Sequence, residues 1–385
     1  MKIAFDSWVL SRRFANHGTH VYARNLLAQF QELMRCRPGL ELCTFARPEA
    51  PDREQLAEAG PGVELVKTQW LGRDRLWRLA GANLAAARAG ADLMFSPAPT
   101  TLPLGKVPVV VTIHDATPML MPSNSARVAF MLRSLVKAAA KLSQSIITVS
   151  ECSKKDVVET CGVPAEKISV VYNGYDRKAF NTAPADPEEL RALRDRSGTR
   201  RPYVFHHSVI QPRKNLIRLM QAHRQLLEKR ADLELDLVLA GPLGWQYEDI
   251  VASAKASQHE RGQVLLPGAM PAEELATLIK GASLVVIPSL YEGFCMPMIE
   301  SMACGAPVIA AGTSCLPEVS GNALLYFDPT SPDEMSEKML MVLQDNDLAQ
   351  RLKQAGVQRA QEFSWEKCAA ETLKVLEGAC ARKHK

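Results

Sequence analysis

Residues 107–113 (VPVVVTI) restrict the fold more than any other stretch, because they are apolar at nearly every consecutive position. A strand with one solvated face alternates apolar and polar residues; a run that is apolar on both faces belongs to a parallel sheet covered by helices on each side. Further strand candidates lie at 3–5, 40–44, 62–67, 93–95, 145–149 and 168–171, with helical patterns between most of them. From 177 to 201 the chain turns polar, with Pro184 and Pro187 and one short charged helix. A second series then runs through 203–206, 235–240, 264–266, 284–287, 308–310 and 324–327. Strand and helix in alternation predict a doubly wound α/β architecture. A chain of 385 residues is too long for one such core. The predicted division is a domain over 1–176, a linker over 177–201, a domain over 202–362 and a C-terminal helix from 363 to 385. Ligands in open α/β sheets gather beyond the carboxyl ends of the strands, so a cleft between two such domains is the expected site.

Several function classes are excluded early. A net charge of +4 without a concentrated basic stripe gives no case for nucleic acid. The nine cysteines are scattered, odd in number and free of any CxxC pair, which fits idle thiols in a reducing compartment. The start MKIAFDSWVL turns polar too soon for a signal peptide, and no apolar run approaches the ~20 residues that span a bilayer. The expected location is cytoplasmic, in solution or peripheral on the cytoplasmic membrane face. A membrane contact is suggested by residues 126–142. There Arg133, Lys137 and Lys141 share one helical face, and Val128, Met131, Leu132, Leu135 and Val136 supply apolar cover. An ordinary surface helix has the same pattern.

The chemistry concentrates in residues 292–300, EGFCMPMIE. Pro297 suits the first turn of a helix, and Gly305 suits its end. A loop feeding a helix start offers unpaired N–H groups and positive dipole charge to an anion. Glu300 lies one turn inside and leans back toward that start; Glu292 approaches from the loop. Two carboxylates around an anion pocket suggest a ligand with phosphate and hydroxyl groups, such as a nucleotide or a sugar phosphate.

Arg213-Lys214-Asn215 precedes another helix, with Asn215 as the expected N-cap. Cations at a helix start oppose its dipole by roughly 0.3–1 kcal/mol each, so a neighbouring anion is the natural explanation and a solvated surface pair the alternative. His114-Asp115 closes the apolar strand at its ligand-facing edge; the competing reading is a structural histidine bonded to Asp115. His17 and His20 lie in the first loop, and His206 and His207 end a strand. Glycines in 240–244, Gly241 among them, allow close approach of ligand or backbone. The sole Asp-x-Asp, Asp345-Asn346-Asp347, reads as a helix cap and not as a metal clamp. No P-loop, HExxH or GxSxG occurs. A bound diphosphate would be neutralised by Arg213, Lys214 and helix amides, with no metal cofactor.

In order, SVIQPRKN, EGFCMPMIE, SMACGAPVIA and LPEVSGNALLYFDP resemble the retaining glycosyltransferases of family 4, as do IHD, TVSECSKKD and VVYNGYD in the first half. FSWEKCA is similar to the family's last helix. The resemblance covers nearly the whole chain. It implies a GT-B fold, two Rossmann-like domains facing across a cleft, with the C-terminal helix crossing back to the first. It further implies a nucleotide-diphosphate sugar as donor, a hexose as the transferred group, and retention of anomeric configuration without metal. Arg213 and Lys214 would hold the diphosphate, and Glu300 the ribose hydroxyls. Glu292 and His114 would lie beside the sugar. Ser208, Phe294, Cys295, Met296 and Gly241 would complete the donor side, with His17, Gly18 and Asp115 on the acceptor or first-loop side. The family analogy favours a mannose-type donor with GDP and a lipid-linked or polysaccharide acceptor in cell-surface glycan synthesis. The alternatives are a sugar-nucleotide epimerase or phosphorylase of the same fold, and a non-catalytic sugar-nucleotide-binding subunit. Three departures stand out. Asn16-His17-Gly18 replaces the usual glycine pair, His207 replaces the usual glycine before Ser208, and Cys295 stands where glycine is common, which is costly for a side chain if φ is positive.

Overall fold

The structure, a computed structural model, describes residues 1–11, 18–45, 62–66, 77–121 and 126–383. They form two compact units. One comprises Met1–Gly174 with Trp365–Lys385, the other Tyr175–Ser364.

The first unit holds a parallel sheet of β1 (Lys2–Phe5), β2 (Glu41–Phe45), β3 (Val63–Val66), β4 (Leu93–Ser96), β5 (Val109–Thr112), β6 (Ser145–Thr148) and β7 (Ile168–Val170). Its order is β3-β2-β1-β4-β5-β6-β7. The central strands are buried along their whole length, as two-sided apolar runs require. Helix Gly18–Cys36 buries Tyr22, Ala23, Leu26, Leu27 and Phe30, an i, i+4, i+8 stripe on one face. Helix Trp365–Lys383 packs on it and on β4 and β6, so the last residues of the chain belong to the core of the first unit.

The second unit holds β8 (Tyr203–His207), β9 (Asp236–Ala240), β10 (Val264–Gly268), β11 (Leu284–Ile287), β12 (Val308–Ala311) and β13 (Leu325–Phe327), all parallel, in the order β10-β9-β8-β11-β12-β13. The order of strands reverses once in each sheet, between β1 and β4 and between β8 and β11, with every pair parallel. These are the switch points where a crevice opens beyond the strand ends. The predicted strands are recovered in both sheets, with ends moved by one or two residues within the described chain.

Residues 177–201, expected to act as a linker, are built into the second unit. They carry helix Pro187–Ser197, capped by the Asp186 side chain, which packs on helix Ala272–Gly281. The polarity of this stretch marks a surface helix and not a free connector. In helix Ala126–Leu142 the expected apolar cover divides. Ala129, Val136, Ala139 and Ala140 are buried, whereas Val128, Met131 and Leu132 are exposed and Phe130 is 73% exposed.

Candidate active site

The crevice between β8 and β11 gathers most of the predicted residues. The chain leaves β8 through Ser208 and reaches a short 3-10 turn, Pro212–Lys214; it leaves β11 through Ser289 and reaches Glu292. The two segments are tied by the Leu290 N–H, which donates to the Arg213 carbonyl at 2.9 Å. Arg213 Nη1 lies 2.6 Å from Glu292 Oε2, and Lys214 Nζ lies 2.5 Å from Oε1. All three side chains are largely buried, Glu292 to within 6%. Arg213 also donates to the Tyr291 carbonyl. Burial alone would raise the pKa of Glu292, but the charges of Arg213 and Lys214 outweigh it and hold the carboxyl down at about 2. The anion that explains two cations ahead of a helix is therefore supplied by the chain itself. Both cations thus converge on the one carboxylate of Glu292.

Asn215 does not cap its helix as expected. It adopts φ 58°, and its side chain makes no cap bond. Its amide donates instead to the carbonyls of Pro288 (3.0 Å) and Pro329 (2.7 Å), stitching the turn to the ends of β11 and β13. The left-handed backbone is tolerated by asparagine. Asp345 does cap its helix, accepting from the Leu348 N–H.

Helix Met296–Ala303 starts where Pro297 predicts and stops at Gly305, φ 72°. The residue before it, Cys295, has φ 67°, so a β-carbon occupies a conformation that favours glycine. Phe294 is buried edge-on against Phe363, 5.5 Å between ring centroids. The Glu292 N–H donates to Ser314 Oγ at 3.0 Å. Ser314, itself at φ 50°, thus supports the loop; only its place after an apolar strand hinted at this.

The Glu300 side chain is 18% exposed, with Oε2 3.7 Å from His207 Nδ1. Burial, and then the negative charge of Asp176, raise its pKa to about 7. Ser208 Oγ bonds His206 Nε2 at 2.7 Å. Gly241 has φ 143°, and a β-carbon there would stand 1.8 Å from the Ser208 carbonyl oxygen, so its freedom serves the close approach of two backbone segments. His206 and His207 are buried and their pKa values lie low, about 4 and about 3, chiefly through burial.

In the first unit, His114 Nε2 donates to the Pro97 carbonyl at 2.8 Å, and its ring stands edge-on to Tyr22. Its partner is not Asp115, which instead accepts from the Thr117 N–H and starts the short helix Thr117–Leu120. Burial lowers the pKa of His114, so it is neutral. Gly18 opens helix Gly18–Cys36; His17 and Asn16 lie outside the described residues. His20 Nδ1 lies 3.1 Å from the Val9 carbonyl.

Comparison with known proteins places this arrangement. Residues 17–179 match the description Glycosyltransferase Family 4, and residues 192–359 match Glycosyl transferases group 1. The O-antigen chain mannosyltransferase B of Escherichia coli is 32% identical over 268 residues, covering 69% of this chain and 68% of that protein. An MMP alpha-(1->4)-mannosyltransferase of Mycolicibacterium hassiacum is 33% identical over 250 residues, covering 64% of this chain and 57% of its own length. Among solved structures, Anabaena HepE in complex with UDP and glucose superposes with a TM-score of 0.73 at 21% identity, covering 98% of this chain and 100% of that one.

Proposed function

The chain belongs to the family 4 glycosyltransferases, group 1, with the GT-B fold, and from that premise we propose that it transfers a mannose-type hexose from GDP-sugar to a lipid-linked or polysaccharide acceptor, with retention and without metal. The observation that carries the site assignment is the buried Arg213–Glu292–Lys214 cluster at the β8/β11 crevice, two cations on one carboxylate next to the start of helix Met296–Ala303. The choice of mannose rests on two relatives named as mannosyltransferases, and the choice of GDP on the family analogy alone.

In the proposed reaction the acceptor hydroxyl oxygen bonds to the anomeric carbon on the face the diphosphate leaves. The anomeric carbon–oxygen bond to the β-phosphate breaks, and a phosphate oxygen takes the acceptor proton. Arg213 and Lys214 oppose the charge that develops on the leaving diphosphate; fixed charges of this kind are worth most in a dry site. Glu292 holds both cations in place and lies beside the sugar, with the Phe294–Met296 backbone near sugar and phosphate. Glu300 takes the ribose hydroxyls. His114 contributes as a neutral hydrogen-bonding group toward the sugar. A thermal-shift panel of GDP, UDP, ADP and dTDP with their sugars tests this: GDP and GDP-mannose are expected to raise the melting temperature, and a response confined to another base would overturn the donor.

A second, compatible element is contact with the cytoplasmic face of the membrane. It is supported by Phe130 and Met131, 73% and 55% exposed on a helix that also carries Arg133, Lys137 and Lys141.

A further inference from the structure

His207 lies at the end of β8, beneath the helix that carries Glu300. Its Nε2 is 3.2 Å from the Pro297 carbonyl oxygen and 3.2 Å from Ser301 Oγ. Ser301 Oγ already donates its own hydrogen to that carbonyl, at 2.8 Å. Both neighbours of Nε2 are therefore acceptors, and the ring proton belongs on Nε2. The other nitrogen, Nδ1, is left with a lone pair, and it stands 3.7 Å from Glu300 Oε2. The ring cannot turn over without facing two acceptors with no hydrogen, and it is stacked on Phe205 at 5.7 Å.

We propose that His207 is a positioning residue for Glu300: its Nδ1 lone pair, 3.7 Å from Oε2 and so acting through its field and not through a direct hydrogen bond, turns the carboxyl O–H of Glu300 toward the ring and leaves Oε1 to meet a ligand hydroxyl. A lone pair attracts the neutral carboxyl and repels the carboxylate, so the contact couples the direction of Glu300 to its protonation. Asp176, which faces Glu300 with negative charge, acts in the same sense. Cys304 lies just past the end of the helix, with the Lys280 cation beyond it, and on the far side of the helix Gly356 abuts Met302. Around the imidazole, His206 and the Lys214 ammonium both disfavour a second ring proton. A ribose diol donates more strongly to a carboxylate than to a neutral acid. Ligand binding then releases the carboxyl proton of Glu300, and affinity rises with pH. The diol part of this inference rests on the reading of Glu300 as the ribose holder; the His207–Glu300 pair does not.

The test begins with the ligand-free full-length chain, uniformly labelled with nitrogen-15, in long-range proton–nitrogen correlation spectra. The expected result is a proton on Nε2 of His207, and an Nδ1 resonance that shifts with a midpoint near the Glu300 value of about 7. That shift should vanish in Glu300→Gln. A proton on Nδ1, or a titration that survives Glu300→Gln, overturns the pair. The second arm is calorimetry with GDP and UDP. Affinity for the one that binds should tighten about tenfold between about pH 6 and about pH 8, the change in carboxylate fraction for a midpoint near 7. Glu300→Gln should lose this dependence, which also separates it from titration of the phosphate. His207→Phe should move its midpoint down by about half a unit or more. Should His207→Phe fail to fold, the ring titration in the wild type and Glu300→Gln decides. An intact ring titration with no nucleotide bound at any pH would leave the pair standing and remove the donor reading.

Discussion

Lys214 donates to Glu292 across 2.5 Å, with both side chains more than nine-tenths buried, and Arg213 closes the other carboxylate oxygen. In such a triad each charge is held by the others. Removing one partner leaves a buried charge short of compensation, at roughly 3–5 kcal/mol where no second partner exists. With Arg213 still present, Lys214→Ala should cost about 3 kcal/mol in denaturant unfolding. It should also cut turnover by about 10²–10³, as loss of one donor to a developing charge does elsewhere. Unchanged turnover and unchanged nucleoside-diphosphate affinity would remove Lys214 from the diphosphate site.

The two carboxylates of the same loop and helix pull stability in opposite directions with pH. Glu292 is depressed from 4.5 to about 2, so its contribution is fully present above 4.5 and is lost as pH falls through about 2. Glu300 is raised from 4.5 to about 7, so its contribution is present below 4.5 and is lost as pH rises through about 7. Each shift corresponds to about 3 kcal/mol. The part of the melting curve governed by these groups should therefore be highest near the ordinary carboxylate range. Glu300→Gln should melt several degrees above the wild type at about pH 8 and near it at about pH 4.5, at about 2–4 °C per kcal/mol. Melting at about pH 8 no higher than the wild type would show that Glu300 carries no such burden.

Much of this is legible in the sequence. Two-sided apolar runs specify buried parallel strands whatever surrounds them, which is why both sheets were found to within a residue or two. Pro297 and Gly305 marked their helix because each acts through its own backbone. What remained hidden depended on partners distant in sequence. Asn215 looks like a cap until the carbonyls of Pro288 and Pro329 arrive beside it. Two cations ahead of a helix predict an anion, but periodicity cannot say that Glu292 fills that place. Nothing in the local sequence brings His207 under Glu300, or Ser314 under the loop.

Cys295 offers a test of strain against packing. At φ 67° an L-residue costs roughly 1–2 kcal/mol, which glycine avoids. The thiol is buried, so removing it also loses contacts. Cys295→Ala keeps the strain and loses the sulfur. Cys295→Gly loses more atoms but is released from the strain. The glycine variant should therefore be the more stable of the two by about 1 kcal/mol in chemical denaturation. Greater stability of the alanine variant would mean that the loop relaxes around the β-carbon without cost.

Charge balance at the site bears on metal dependence. Arg213 and Lys214 stand together next to a helix start, and in the proposed reaction they meet the diphosphate in place of a divalent ion. Transfer from the nucleotide sugar should persist in excess EDTA at a rate close to that in Mg²⁺. Activity abolished by EDTA and restored by Mg²⁺ or Mn²⁺ would overturn a metal-independent reaction.

Helix Ala126–Leu142 carries the last prediction. It buries Ala129, Val136, Ala139 and Ala140, small residues that let it lie close to its own unit, and leaves Phe130 and Met131 outward. Full burial of a side chain of that size is worth about 1.5–3 kcal/mol. Each lysine or arginine near an anionic surface adds about 1 kcal/mol, a part that salt screens. Arg133, Lys137 and Lys141 repeat at one helical face, so the electrostatic and apolar parts act together. The full-length chain should co-sediment with vesicles of phosphatidylglycerol and phosphatidylethanolamine and be partly released at high salt. Phe130→Ser with Met131→Ser should weaken this tenfold or more while leaving donor-nucleotide thermal shifts unchanged, because both residues belong to the first unit and the candidate nucleotide site to the second. Equal sedimentation of wild type and double variant would show that this helix is an ordinary solvent-facing surface.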